Sequence, residues 1–459
     1  MEATALSTQP EKVLSPSLSP TPANDRILFL DSVRGLALLG ILLMNIMAQS
    51  QSHYYYAALN PDQPITGPNF WAWIIECMFF EGTMRGLFSI LFGAGTLLFL
   101  AHLAKQKQGL EPADIYYRRM LWLLVFGLIN AFVFLWPGDI LYPYALCGLL
   151  LFPFRNWSVR NLLLGAVFFL AIGTYRENSM LQDAKLLIAE GRAAEAVQAK
   201  KATLNEKQTE ALEKWKGFKE KNTTEGIAKE AKKETAKIQG QSYASIFSFY
   251  KDINMMIQGS YFYKSGWWDV LLFFFIGMAL FKSGFILGKA PTTLYAGLAV
   301  VGIGVGLALN YFLLKLQYQI RFDNVIFAER WKFSYYEIRR VFLTIGYLSF
   351  LVLLYKASAG KKLLHFFAPV GKMAFTNYLM QSIITSVIFL GFGLFGKLQR
   401  YETYFILVNI WILQIAFSHI WLRFFRFGPF EWVWRSLTYW QKPPMRKRTE
   451  ETLAINPAS

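Results

Sequence analysis

The sequence predicts an all-α fold: a polytopic transmembrane helical bundle of about ten helices with a charged helical extracytoplasmic insert. Three observations lead there. Of 459 residues, 54% are hydrophobic, and they gather into long apolar runs. Runs of about 20 residues are what a hydrocarbon core about 30 Å thick requires, and they are too long and too little alternating for the strands of a membrane barrel. Between two of these runs the stretch 180–240 turns abruptly into Ala, Glu, Lys and Gln.

In chain order, residues 1–24 are rich in Ser, Thr, Pro and Ala and lack a compact basic region before an apolar one. They are expected to form a disordered tail, with the first span an uncleaved anchor. Spans are expected near 27–47, 70–103, 116–136, 139–154, 159–175, 267–287, 293–314, 335–356, 368–395 and 404–424. The stretch 70–103 is long for one crossing, so an interruption or kink is expected near Gly82 and Gly86. The span 139–154 is short and holds Pro143 and Pro153. The resulting organisation is a tail (1–24), five spans (25–175), the insert (176–265), five more spans (266–426) and an interfacial helix with a basic tail (427–459).

Orientation follows from the short loops, because Lys and Arg concentrate on the cytoplasmic side. Loop 48–69 contains neither residue, whereas 104–119 carries Lys105, Lys107, Arg118 and Arg119. Lys356, Lys361, Lys362, Arg446, Lys447 and Arg448 alternate consistently if both termini are cytoplasmic; Lys315, Arg321, Arg330 and Lys332 run against the pattern. In the insert, strong helix formers with opposite charges four apart predict exposed, salt-bridged helices. With few apolar residues it is expected to pack weakly, as a spacer or lid.

The net charge of +17 fits cytoplasmic loops and anionic lipid better than nucleic acid. Cys77 and Cys147 both fall in apolar segments, which argues against a disulfide framework, and the four histidines are scattered without metal-ligand spacing.

The informative residues are the polar ones inside spans, where charge is costly and marks function by default. "FLDSVRGLALLGILLMNI" places Asp31, Arg34 and Asn45 on one helix face, with Asp31 and Arg34 close enough to pair. "FFEGTMRGLFSILFGAGTLLF" brings Glu81 and Arg85 four residues apart, then Ser89, while Gly93 and Gly95 would admit another backbone. In "WPGDILYPYALCG", Asp139 stands where a carboxylate caps a helix, and Tyr142 and Tyr144 suit an interfacial belt. Asn377, Gln381 and Thr385 recur every four residues as a polar stripe. "FRFGPFEWVWRSLTYW" is too short and charged to cross and suits a helix lying in the interface, with Glu431 and Arg435 a surface pair.

"LDSVRGLALLGILLMNI", "FSILFGAGT", "GDILYPYALCGLLL", "GKMAFTNYLMQSII" and "GPFEWVWRSLT" together resemble the YeiB family of bacterial inner-membrane proteins. The resemblance covers nearly the whole chain except the tail and the 180–240 insert. That family in turn resembles, more distantly, transmembrane acyltransferases such as heparan-α-glucosaminide N-acetyltransferase. In that group the first helix has an Arg followed by a polar residue, His or Asn, matched here by Arg34 and Asn45. The resemblance implies a bundle in the bacterial cytoplasmic membrane that takes acyl-CoA, acetyl-CoA above all, as co-substrate and no tightly bound cofactor. It acylates an extracytoplasmic or lipid-linked acceptor such as a cell-envelope glycan.

An amide cannot serve as a general base. The heparan enzyme uses a histidine in the following loop, and His53 lies in the equivalent loop here. Asp139 and Glu81 compete for that role. Asp31, Arg34, Asn45, Arg85, Tyr142, Asn377 and Gln381 are the expected donor- and substrate-binding residues. A transporter or flippase for a small anionic or lipid-linked solute would use the same polar passage. A membrane scaffold, with the ion pairs purely structural, is a third reading.

Overall fold

The computed structural model describes residues 28–447; the expected disordered tail and Arg448 lie outside the described residues. The fold is all-α, and no strand is present among those residues. Helix α1 (Leu28–Ser50) runs through the middle of the bundle and is buried on nearly every face. A loop containing a 3-10 turn, His53–Tyr55, leads to α2 (Pro68–Ile75) and a π-helical turn, Glu76–Phe80. The expected interruption falls at Gly82, whose φ of 71° starts α3 (Thr83–Gln106). Glycine is needed there twice over, since a Cβ would also stand 2.5 Å from Arg340 Nε. Gly86 lies inside α3 and does not break it.

Helices α4 (Glu111–Phe132) and α5 (Leu141–Leu149) form an antiparallel pair. The Tyr116 hydroxyl donates to the Gly148 carbonyl at 2.6 Å, and Gly127 abuts the Tyr142 backbone. The span expected at 139–154 is therefore only partly helical: α5 is nine residues long, and irregular chain completes the return. Helix α6 (Val159–Ala199) continues without a break from the bundle into the insert. Its 41 residues correspond to about 60 Å of helix. There follow α7 (Glu206–Asn222), α8 (Thr224–Ile238), α9 (Tyr243–Met256) and α10 (Phe262–Ser265).

The salt bridges expected in the insert are present, such as Lys214–Glu210 at 2.6 Å. Weak packing is not. Ile188, Ala194, Leu212 and Trp215 form a buried cluster with Val325 and Ala328, so few apolar residues suffice because they converge on one seam.

The remaining helices are α11 (Trp267–Lys282), α12 (Thr292–Gln319), α13 (Asn324–Arg330), α14 (Tyr336–Lys356), α15 (Ser358–Lys372), α16 (Ala374–Ser386), α17 (Arg400–Phe424) and α18 (Pro429–Tyr439). Where α1 crosses α15, a Cβ on Gly371 would overlap the Asp31 carbonyl, so the two backbones touch. Among the described residues, seven helices are long and apolar enough to cross a membrane, or eight if the bent pair Tyr243–Lys264 and Trp267–Lys282 is one span. Of the ten expected spans, α4, with four charges in its first turns, and short α5 are the two outside that number. The chain is a multi-pass membrane protein.

Candidate functional site

Two cavities open at opposite ends of α1. The proximal one, about 250 Å³, is lined by Asp31 and Arg34 near the start of α1, Arg119 of α4, Lys372 at the end of α15, and Glu431 and Arg435 of α18. The distal one, about 420 Å³, lies beyond the other end of α1 and is lined by His53, Tyr54, Tyr56, Glu81, Tyr336 and Arg339. From Arg34 to Ser50 the helix rises roughly 24 Å, so the cavities face opposite ends of the bundle.

In the proximal cavity Arg34 Nη1 pairs with Asp31 Oδ1 at 2.7 Å. The other Asp31 oxygen is buried without a hydrogen-bond partner. Arg119 is sandwiched, its guanidinium 3.7 Å from the Trp434 ring centre and 4.8 Å from that of Phe99. The Trp434 indole N–H donates to the Arg119 carbonyl at 3.0 Å. Helix α18 is thus docked into the bundle rather than only lying on the interface. Glu431 is not a surface partner of Arg435: it is buried and accepts the backbone N–H groups of Phe375 and Thr376 at 2.8 and 3.0 Å, capping α16. Gly93 meets the Phe274 backbone, as expected of a small residue, but Gly95 has open space before it and lines the cavity.

The distal cavity carries the histidine. His53 Nδ1 lies 2.9 Å from Glu234 of α8, and its ring centre is 4.2 Å from that of Tyr54. Burial first, then the Glu230 and Glu234 carboxylates, raises the Tyr54 phenol, and burial pushes Tyr56 up further, so both remain neutral donors near neutral pH. The wall is held from below by Arg400, which pairs with Glu76 and donates to the Tyr55 and Ala58 carbonyls at 2.6 and 2.8 Å.

Between the cavities stands a charge network. Glu81 and Arg85 do not pair with each other, because Glu81 precedes the helix across the left-handed Gly82. Glu81 instead binds Arg339 and Arg85 binds Asp269, each at 2.5 Å. Arg340 joins Asp269 at 2.7 Å to Glu337 at 2.9 Å. Three arginines thus face three carboxylates. The Arg339 side chain also donates to Asn310, whose amide is anchored on the Met78 carbonyl of the π turn at 2.8 Å. Toward the proximal side, Ser89 Oγ donates to the Arg85 carbonyl at 2.9 Å and lies 2.5 Å from the Tyr144 hydroxyl, which lines the proximal cavity. Arg85 shares one face of α3 with Phe88, Phe92, Gly95 and Phe99, all of which line that cavity. Its side chain is 40% accessible, and it lines neither cavity.

Several expected residues sit elsewhere. Asp139 accepts from Asn130 Nδ2 at 2.7 Å, the Tyr142 N–H at 2.8 Å and the Tyr378 hydroxyl at 3.3 Å. It stitches the irregular chain before α5, where backbone groups inside the bundle need internal partners. The Tyr142 hydroxyl is exposed and reaches Tyr263 at 3.1 Å. Asn377 donates to Ser418 at 2.9 Å and Gln381 to Gln414 at 3.0 Å, so the polar stripe joins α16 to α17 instead of lining either cavity. Asn45 is half-buried near the distal end of α1. Sequence reasoning missed Asp269, Glu337, Arg339, Arg340 and Glu234. The signal was present for most of them, as acids and arginines at the mouths of apolar runs in "GWWDVLLFFF" and "YEIRRVFLTIG".

The profile "Heparan-alpha-glucosaminide N-acetyltransferase, catalytic" matches residues 26–199, and "Protein of unknown function (DUF418)" matches 280–441. Residues 200–279, which hold much of the insert and the start of α11, fall outside both. No solved structure matches the chain. The uncharacterized protein YeiB of Escherichia coli is 29% identical over 93% of the chain and 99% of its own length. The uncharacterized protein YxaH of Bacillus subtilis is 31% identical over 95% of the chain and 99% of its own length. Residues 26–199 are thus similar to the catalytic region of heparan-alpha-glucosaminide N-acetyltransferase and residues 280–441 to DUF418, and the chain belongs to the family of YxaH and YeiB.

Proposed function

We propose that this protein is a membrane-embedded acyltransferase that passes an acyl group, acetyl in the simplest case, from a cytoplasmic acyl-CoA to an acceptor on the other side of the bilayer. The observation that carries the reading is the pair of cavities: they open at opposite ends of α1, one lined by Arg34 and Arg119 and the other by His53. The proximal cavity is cationic and narrow, suited to the pantetheine arm of the donor, with Arg34 and Arg119 near the mouth for its phosphates. The basic loop between α3 and α4 lies at this end and the loop after α1 without Lys or Arg at the other, which supports a cytoplasmic proximal end in the bacterial inner membrane.

In this reading the acceptor, a hydroxyl or amine of a cell-envelope glycan or lipid, occupies the distal cavity. His53 takes its proton as the acceptor atom bonds to the thioester carbonyl carbon. The carbon–sulfur bond then breaks and the thiolate leaves with the donor, regaining a proton as the thiol. In the same reading Asn45 offers an amide to the thioester carbonyl, and the Arg85 guanidinium, on the α3 face that continues into the proximal cavity, steadies the negative charge that develops there.

The test is calorimetric titration of the protein in lipid nanodiscs with acetyl-CoA, followed by transfer of labelled acetyl to envelope lipids and glycans. Saturable binding, weakened about tenfold in Arg34→Ala, about 1.4 kcal/mol, is expected. Absence of binding at millimolar acetyl-CoA, or equal binding by the variant, overturns the reading.

A further inference from the structure

Helix α8 of the insert is amphipathic, and its buried face is occupied by Ile227, Ala231, Glu234 and Ile238. This is the spacing of an apolar seam, and the third position is a carboxylate. A buried acid costs several kcal/mol unless it is paired and hydrogen-bonded. Both partners of Glu234 come from the loop after α1: the Ser52 hydroxyl and His53 Nδ1, on one and the same carboxylate oxygen. Ile227 and Ala231 meanwhile pack on Tyr54 and Tyr55, and Gln239 donates to the Phe395 carbonyl at 2.7 Å. The insert is therefore clamped to the loop after α1 on one side of the acid and to the chain before α17 on the other.

We infer that Glu234 is a positioning residue for His53: the insert completes the distal site by fixing the tautomer and orientation of the imidazole. A proton carried on Nδ1 would lie beside the Glu234 carboxylate, 2.9 Å from that nitrogen, and would leave Nε2 as the basic nitrogen. The Tyr54 ring beside the imidazole limits its rotation. His53 is 59% exposed in its side chain, so without the carboxylate nothing else in the loop would hold one tautomer. The inference rests on the acyl-transfer reading only for what Nε2 does; the pairing itself is independent of it.

Two measurements test it. In protein labelled with 15N-histidine, the His53 ring, assigned by its loss in His53→Gln, is expected to show a single Nδ1–H tautomer. Glu234→Ala is expected to shift it to a mixture, Glu234→Asp to restore it in part, and Ser52→Ala to leave it unchanged. In the transfer assay Glu234→Ala is expected to lower kcat about tenfold with KM unchanged, less than for a buried triad carboxylate because the ring is exposed. An unaltered tautomer in Glu234→Ala overturns the inference. So does a mixed tautomer with kcat unchanged in an active enzyme, which would leave Glu234 a mere latch for the insert. A wild-type protein without transfer activity but with a Glu234-dependent tautomer would sink the acyltransferase reading and leave the pairing standing.

Discussion

Replacing Arg340 by Met tests whether the charge layer between the cavities is held as the structure shows. Arg340 is fully buried, 2.7 Å from Asp269 and 2.9 Å from Glu337, and its Nε donates to the Gly82 carbonyl at 3.2 Å. Asp269 has a second cation, Arg85, at 2.5 Å. Glu337 has no other ion-pair partner among the described residues, so the substitution strands that carboxylate. Breaking a buried pair on one side costs about 3–5 kcal/mol. An unfolding entropy of about 2.1 cal/mol/K per residue over the whole chain comes to about 1 kcal/mol/K, so the apparent Tm is expected to fall by at least about 3–5 °C. The fall will be larger if helices persist in the denatured state, because the unfolding entropy is then smaller.

The assay is thermal unfolding in mild detergent, followed by size-exclusion recovery. Arg340→Met with Glu337→Leu removes both charges and is expected to recover to within about 1–2 kcal/mol of the parent. A single variant that melts within 1 °C (an assay threshold on the order of 1 kcal/mol) of the parent, or a double variant showing simple additivity, would refute the assignment of Arg340 as the cation that neutralises Glu337.

Two neighbouring glycines of α3 should behave oppositely. Gly95→Leu extends into open space in the proximal cavity and is expected to fold normally while abolishing acetyl-CoA binding, whereas Gly93→Leu drives into the Phe274 backbone and is expected to lose folded yield, both read by titration and size exclusion. Asp139→Ala is expected to cost about 2–3 kcal/mol in Tm measurements through its orphaned donors, while Asp139→Asn keeps transfer activity within a few-fold, since it acts as a cap. Asn377→Leu is expected to lose about 1–2 kcal/mol of stability from the α16–α17 contact and to leave donor binding unchanged in the same titration.

The fold class was legible because crossing a bilayer demands length and apolarity, both visible in a linear string. The irregular return before α5 was not: Asp139 is held by Asn130 across the turn between α4 and α5 and by Tyr378 more than 200 residues on, and the three meet only when α4, α5 and α16 pack. The Asp31–Arg34 pair was legible because both residues sit on one helix, where spacing fixes distance. The pairing of Glu81 with Arg85 failed on the same rule, since Gly82 removes the helix the rule assumes. Their true partners, Arg339 and Asp269, are more than 180 residues away, and no local pattern could name them. Glu234 was hidden differently. In a segment full of exposed Glu and Lys, one acid on the buried face of a short helix looks like the rest until the loop it meets is known.

Arg85 and Arg340 share Asp269, yet their surroundings are unequal, and that difference bears on how the two cavities could communicate. Arg340 is enclosed and bridges two carboxylates, whereas Arg85 is 40% accessible and binds one. If Arg85 swings away, Asp269 keeps Arg340, and Arg85, already 40% accessible, is not left fully buried and unpaired. Separation at Arg85 is thus far less costly than at Arg340, and Arg85 stands on the face of α3 whose Phe88 and Phe92 line the proximal cavity. Arg85→Gln is accordingly expected to lower stability by no more than about 1–2 kcal/mol, against about 3–5 for Arg340→Met. It should nevertheless reduce transfer between the cavities at least tenfold, a loss of about 1.4 kcal/mol in the barrier. Equal destabilisation by the two substitutions would mean that Arg85 is locked into the same structural knot as Arg340, and its proposed part in transfer would lose its support.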